Sequence, residues 1–375
     1  MNVLLEKKLK VVVAMSGGVD SSYVAARLHL DGHEVTGVTL KVWQDSKSAS
    51  GGLEQVEAPV ENSCCGAEAM RDARSVARGM GFGYYVLNYE DDFKAKVIDG
   101  FVASYLAGRT PNPCVACNDK VKFDPLLKTA LALGADKLAT GHYARIEQDG
   151  LDGRYRLLKA VDPFKDQTYF LYRLGQPQLS RLLFPLGGLK KEEVRAASRE
   201  LGLATAGKAE SMDICFVPDG DYGRLIREAA PEAVKEGPIV DGQDRELGRH
   251  AGLAFFTVGQ RKGLGIASAE PLYVLKLDPA RNAVVVGPEA GLLTTRAVLA
   301  DLSWTRGPGQ APAEPFKASL KIRSSHPGAA ALLSPLPDGR WSADFEQAQR
   351  AVTPGQAAVA YDGDECLGGG VIDAG

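Results

Sequence analysis

The chain has 375 residues, 45% of them hydrophobic and 24% charged, with a formal net charge of -3 and a sequence pI near 6.0. That length predicts two or three domains with a real core, and the composition is ordinary for a soluble globular protein. The slightly acidic balance gives no global signature of a nucleic-acid binder, so such a role has to rest on local basic patches. Residues 1–10 carry several charges and no apolar run of signal-peptide length, and no stretch approaches the roughly 20 apolar residues of a membrane span. The expectation is a cytoplasmic protein without a membrane partner. Its six cysteines, Cys64, Cys65, Cys114, Cys117, Cys215 and Cys366, then read as thiols, ligands or catalysts rather than a disulfide framework.

Val11, Val12 and Val13 predict a buried parallel strand. Ala14 and Met15 lead into Ser16-Gly17-Gly18-Val19-Asp20-Ser21-Ser22, followed by helical spacing from Tyr23 onward. A strand, glycine turn and helix start aim unpaired N–H groups and a helix dipole at one spot, which suits an anion. Ser16, Ser21 and Ser22 add hydroxyls, and Asp20 can hold a metal ion or cap the helix. No Gly-Lys-Ser/Thr follows the glycines, so this is not a kinase-type phosphate loop. The segment resembles the pyrophosphate loop of the ATP pyrophosphatases, which release pyrophosphate from ATP.

Residues 34–43 predict the second strand, and strand–helix–strand order points to a doubly wound parallel α/β sheet with ligands at the strand carboxyl ends. Leu40, near that end, is either an adenine contact or a core leucine. Residues 44–62 read as a flexible polar insertion, and Cys64-Cys65 as local packing. Residues 84–88 predict a third strand and 91–106 a helix. In Arg109-Thr110-Pro111-Asn112-Pro113-Cys114-Val115-Ala116-Cys117-Asn118, two prolines predict a rigid extended turn, with a new helix opening at Cys117. A cysteine at a helix N-terminus with Lys120, Lys122 and Arg109 nearby is expected to be a good nucleophile. The Cys114-x-x-Cys117 spacing also fits a redox pair or half a metal site.

Residues 137–145 predict a fourth strand holding Gly141, His142 and Tyr143. Gly141 there would let a nucleotide approach, and His142 either reaches a phosphate or base or is structural. Residues 155–160 predict a hairpin-like strand. Lys165, Asp166 and Gln167 open a predicted helix, as donors to phosphate or base edges or as a solvated cap. Residues 179–203 predict one long helix with a basic face of Arg181, Lys190, Lys191, Arg195 and Arg199. Cys215 sits in a short apolar run. Beyond it the character changes. A small middle domain over 217–289 carries a charged helix at 221–236 and strands at 272–277 and 283–287. Five further strands, at 316–322, 329–333, 341–345, 357–361 and 366–372, predict a C-terminal β-barrel over 290–375. The first domain is then 1–216.

In this order the motifs resemble one family closely, the bacterial tRNA-specific 2-thiouridylases. The resemblance covers nearly the whole chain. It rests on residues 16–22, on Thr110-Pro111-Asn112-Pro113 with Cys117-Asn118, and on Gly141-His142-Tyr143 and Lys165-Asp166-Gln167. It continues through Asp213-Ile214-Cys215-Phe216, Gly259-Gln260-Arg261-Lys262-Gly263-Leu264-Gly265, Lys321-Ile322-Arg323, Pro354-Gly355-Gln356 and Leu367-Gly368-Gly369-Gly370. Departures are the insertion at 44–62, Cys114 where some members carry an acidic residue, and Ser324 where an aromatic is common.

The resemblance implies that ATP and Mg2+ sit on residues 14–21, the ion near Asp20, with Leu40 and Gly141 by the adenine. The C2 oxygen of the wobble uridine is adenylated. A persulfide on Cys215, supplied through a cysteine desulfurase or sulfur-relay protein, delivers sulfur with help from Cys117, leaving a Cys117–Cys215 disulfide. Asn112, Pro113 and Cys114 line the flipped base. His142, Lys165, Asp166, Gln167, Arg323, Ser324 and Gln356 complete the base and tRNA contacts. The rivals are an iron–sulfur-dependent thiolase using Cys114, Cys117 and Cys215 as cluster ligands, another ATP pyrophosphatase that ligates or amidates, and a tRNA-binding protein without catalysis.

Overall fold

The computed structural model describes residues 8–42, 66–209, 214–217, 219–307 and 312–373. The insertion at 44–62, the Cys64-Cys65 pair and Asp213 lie outside the described residues. The chain forms two compact units. The first comprises Met1–Val97 and Ala116–Gly220, the second Ile98–Val115 and Asp221–Gly375. Among the described residues no helix is long and apolar enough to cross a membrane.

The first unit is built on a five-stranded sheet. Strands β1 (Lys10–Ala14), β2 (Glu34–Lys41), β3 (Gly83–Asn88), β4 (Lys137–Thr140) and β7 (Leu182–Leu183) are all parallel, in the order β3-β2-β1-β4-β7. Val11, Val12 and Val13 are buried in the central strand, as a three-residue apolar run covered on both faces requires. Helix α1 (Val19–Leu30) and helix α2 (Ala67–Met80) pack their alanine-rich faces into one core with β1. From β1 the chain steps outward to β2 and β3, then returns to the other side for β4 and β7. The carboxyl ends of β1 and β4 therefore flank the point where strand order reverses, the usual ligand crevice of such sheets. Strands β5 (Arg145–Gln148) and β6 (Tyr155–Leu158) form an antiparallel hairpin.

Two helix expectations fail here. The segment 179–203 is not one helix: Leu182 and Leu183 form an edge strand, and the helix proper is Lys191–Glu200. Pro185, Gly187 and Gly188 interrupt the helical pattern. After Gln167 only a short 3₁₀ turn, Thr168–Phe170, forms.

In the second unit, helix Asp99–Leu106 packs with helix Tyr222–Ala229 through stacked Tyr105 and Tyr222 rings, 4.6 Å between centroids. A small mixed sheet, β8 (Gly237–Val240), β9 (Glu246–His250), β10 (Tyr273–Asp278) and β11 (Ala283–Gly287), has order β10-β11-β8-β9. Strands β12 (Leu293–Trp304), β13 (Phe316–Lys321), β14 (Ala329–Pro335), β15 (Trp341–Arg350), β16 (Ala357–Asp362) and β17 (Glu365–Ile372) form an antiparallel barrel that closes through β12–β17 pairing. Its core clusters Trp304, Phe316 and Trp341 edge to face. The expected barrel is present, with the unforeseen β12 as its longest strand.

Candidate active site

Ala14 ends β1, and Met15 carries the strand one residue further. Its N–H donates to the Val38 carbonyl at 2.8 Å, and its own carbonyl accepts from Thr39 Oγ1 at 2.7 Å. The chain then turns. Ser16 N–H donates to Ser21 Oγ at 3.0 Å, and Ser21 Oγ donates to the Gly18 carbonyl at 3.3 Å. Gly17 has φ +68°, and a Cβ there would lie 2.2 Å from the Ala69 carbonyl oxygen, so only glycine fits. Gly18 is the extended N-cap of α1, followed by buried Val19. The loop opens onto the first turn of α1, whose amides have no intrahelical acceptor. Polar loop, unpaired amides and helix dipole converge at the sheet's switch point, a geometry that receives phosphate.

Asp20 stands on that turn. Lys191 Nζ lies 2.7 Å from both of its carboxylate oxygens, and Tyr143 Oη donates to Oδ1 at 2.9 Å. Gly141 touches the same turn: a Cβ there would lie 2.9 Å from Ser21 N and 3.1 Å from Asp20 C. Gly141 is the glycine expected to admit a nucleotide. The backbone of α1 approaches it closely, so glycine is required there by the packing of the segment after β4 against the first turn of α1. Leu40 lies within β2 and is 8% exposed.

His142 Nδ1 is 2.7 Å from Thr140 Oγ1, and its ring is flanked by Phe123 and Phe184. Enclosure by these groups, with the like charge of Lys122, holds the imidazole well below its ordinary value. Burial therefore favours the neutral imidazole, which hydrogen-bonds to Thr140 Oγ1. Gln167 and Tyr143 are cross-linked, Gln167 Oε1 accepting from Tyr143 N at 2.9 Å and Gln167 N donating to the Tyr143 carbonyl at 2.9 Å. Asp166 accepts from Ala160 N, Thr168 N and Thr168 Oγ1. Gln167 and Asp166 thus brace the turn that presents Lys165.

The thiols differ from expectation in their local structure. The helix opens at Pro113, four residues before Cys117. Asn112 Oδ1 accepts from Val115 N at 3.3 Å, making Asn112 the cap and Pro113 the first helical residue. Cys117 ends this α-helical turn and adjoins π-helical turns over Asn118–Leu126. The dipole argument for its reactivity fails, because that effect is confined to the first turn. A junction of α and π turns is itself a common setting for functional side chains. Cys215 is half-buried in a tight turn closed by Val217 N donating to the Ile214 carbonyl at 2.8 Å, beside Phe216, whose ring meets Phe93 edge-on. Cys114 is exposed. Among the described residues no three His, Cys, Asp or Glu side chains gather as a metal-ligand group.

Within the second unit, residues 109–111 are docked on the barrel. Gln356 Nε2 donates to the Thr110 carbonyl at 3.0 Å, Thr110 N donates to the Pro354 carbonyl at 2.8 Å, and Arg109 pairs with Asp373 at 3.3 Å. Gln356, expected as a tRNA contact, anchors this loop. Arg323 donates to the Arg350 carbonyl at 3.3 Å, and neighbouring Ser324 is exposed. Sequence reasoning missed the Lys191 contact with Asp20. In the sequence Lys191 reads as part of a basic helix face; the signal for another role is its position at the start of a capped helix, with Glu193 accepting from Lys190 N.

The chain matches three family models in succession: the tRNA methyl transferase HUP domain over residues 9–219, the tRNA methyl transferase PRC-barrel domain over 225–288, and the Aminomethyltransferase beta-barrel domain over 295–372. It is 51% identical over 362 residues to the tRNA-specific 2-thiouridylase MnmA of Chloroflexus aurantiacus, covering 96% of this chain and 98% of that one. It is 50% identical over 367 residues to the protein of that name from Geotalea uraniireducens, with 98% and 96% covered. For the Heliobacterium modesticaldum protein of that name the identity is 49% over 367 residues, with 97% and 92% covered.

Proposed function

Because this chain belongs to the family of tRNA-specific 2-thiouridylases, we propose that it uses ATP to replace the C2 oxygen of the anticodon wobble uridine of tRNA with sulfur. The observation that carries the reading is identity of 51% to such an enzyme across nearly the full length of both chains. The Ser16-Gly17-Gly18 loop at the switch point of the sheet supports it physically.

In this reading the triphosphate rests on residues 14–21. The uridine C2 oxygen attacks the α-phosphorus, an O–P bond forms, and pyrophosphate leaves. An oxide that cannot depart becomes AMP, which can. Cys215 carries a persulfide acquired from a cysteine desulfurase or relay protein. The terminal sulfur attacks C2, and AMP departs with the oxygen. The Cys117 thiolate then attacks the Cys215 sulfur. The bond to the delivered sulfur breaks, its electron pair remains on that sulfur as the thiocarbonyl forms, and a Cys117–Cys215 disulfide is left. A two-electron thiol reductant restores both cysteines.

Asn112, Pro113 and Cys114 grip the flipped base in this scheme, and Lys165, Arg323 and Ser324 meet the tRNA. Magnesium, carried by the triphosphate, neutralises phosphate charge. Asp20 is committed to Lys191 and Tyr143, so no step is assigned to an ion held there.

The test is thiolation of unmodified tRNA with ATP, magnesium, a cysteine desulfurase with cysteine as the persulfide source and a thiol reductant, reading 2-thiouridine by mass spectrometry of nucleosides and AMP by chromatography. Wild-type protein should form both products. AMP without thiolated uridine would leave a different adenylating enzyme.

A further inference from the structure

Lys191 is a lysine with 8% exposure, buried at the first residue of helix Lys191–Glu200. Its backbone N–H donates to Asp162 Oδ2 at 3.0 Å. Its ammonium reaches across to the phosphate-loop helix, 2.7 Å from each oxygen of Asp20, and lies 5.7 Å from the centre of the Tyr143 ring. Tyr143 donates to the same carboxylate. Three segments therefore converge on one side chain: the first turn of α1 carries it, the segment after β4 hydrogen-bonds it, and the start of a third element neutralises it.

A carboxylate at this place is otherwise a defect in an anion site. Asp20 is the second residue of α1, on the turn whose amides face an incoming polyphosphate. An ionised aspartate there stabilises the empty helix terminus, and by the same charge repels the ligand. A buried lysine paired at both oxygens cancels that charge and holds the turn in one orientation.

We propose that Lys191 is a positioning residue for the nucleotide: it neutralises and fixes Asp20, so that the loop presents amides and no net negative charge to the triphosphate. The proposal rests on the functional reading above, because it takes the polyphosphate to be ATP. Lys191 acts through Asp20 and touches no reacting atom.

The experiment is direct binding of radiolabelled ATP with magnesium to the full chain, by equilibrium dialysis, with thermal melting of every variant. The variants are Lys191→Met, Lys191→Arg, Asp20→Asn and the double change Asp20→Asn with Lys191→Met. Lys191→Met should raise the Kd for ATP at least tenfold, and Lys191→Arg should recover at least half of the loss on a logarithmic scale. The double variant should bind within threefold of Asp20→Asn alone, because the unpaired charge is gone. A role in folding alone predicts lowered melting temperatures without this rescue. A double variant binding as weakly as Lys191→Met overturns the proposal, placing the lysine on the phosphates themselves, as does Lys191→Met binding like wild type. Wild-type protein that binds no ATP refutes the functional reading instead.

Discussion

Replacing Gly141 by alanine separates two accounts of why glycine stands at the end of β4. If the glycine makes room for a nucleotide, the added methyl costs ligand affinity and leaves the empty protein as stable as before. If it makes room for α1, the fold itself suffers. The built Cβ would lie 2.9 Å from Ser21 N and 3.1 Å from both Asp20 C and Asp20 Cβ. Two of these neighbours are backbone atoms, which cannot rotate away like the end of a flexible chain. Relief needs a shift of several tenths of an ångström between β4 and α1, and overpacking of this kind costs about 1–3 kcal/mol. For a unit of this size each kcal/mol lowers Tm by roughly 2–4 °C, so Gly141→Ala should melt about 2–12 °C early. The same shift pulls Ser21 from its bond to Ser16 N, so ATP binding should weaken as well. The assay is urea and thermal unfolding of the ligand-free protein, followed by ATP titration. Wild-type stability with weakened ATP binding would refute the packing account and restore the nucleotide one.

Other tests follow from the same geometry. Cys117→Ser and Cys215→Ser should each lower thiolation by about three orders of magnitude or more while ATP binding stays within a few-fold of wild type; equal thiolation by either variant ends the two-thiol scheme. Arg323→Ala should reduce the salt dependence of tRNA binding by about one phosphate contact, roughly 0.7 in the logarithmic slope for a single strand, and an unchanged slope removes Arg323 from the interface. His250 donates from Nε2 to the Asn282 carbonyl at 3.0 Å, and its buried Nδ1 has no hydrogen-bond partner among the described residues. Burial lowers its pKa, so the unfolded chain takes up the proton first. Stability is then full above about pH 6.5 and falls below it, by up to about 1.4 kcal/mol per pH unit until the folded pKa is reached. His250→Gln should flatten that part of the urea-unfolding profile, and an unaltered profile would contradict the assignment.

Local signals made much of this architecture readable in advance. Three consecutive valines announce a central parallel strand because burial on both faces demands apolar residues at every position. Barrel strands such as β13 and β16 are punctuated by glycine and proline. What escaped reading depends on distance in sequence. Leu182 and Leu183 are too few to reveal an edge strand, and they lie in a stretch with helical spacing. Strand β12 mixes Arg296 and Asp301 among its apolar residues because much of it is exposed. Lys191 reads as a surface charge until Asp20, 171 residues earlier, is placed against it. The cap formed by Asn112 and Pro113 is an asparagine–proline helix start written in the sequence itself, four residues before Cys117.

The second unit is assembled from two stretches of chain, Ile98–Val115 and Asp221–Gly375, and the bond from Gln356 to Thr110 spans 246 residues. On a ribosome adding about 5–20 residues per second, Thr110 is made about 12–50 s before the glutamine that anchors it. Helix Asp99–Leu106 and the Thr110-Pro111-Asn112 loop leave the exit tunnel with apolar and backbone groups whose partners do not yet exist. A nascent chain therefore cannot complete the docking of its Thr110-Pro111-Asn112 loop early, however quickly its parallel sheet matures. Any transcript truncated before the barrel yields a protein whose loop has lost its dock.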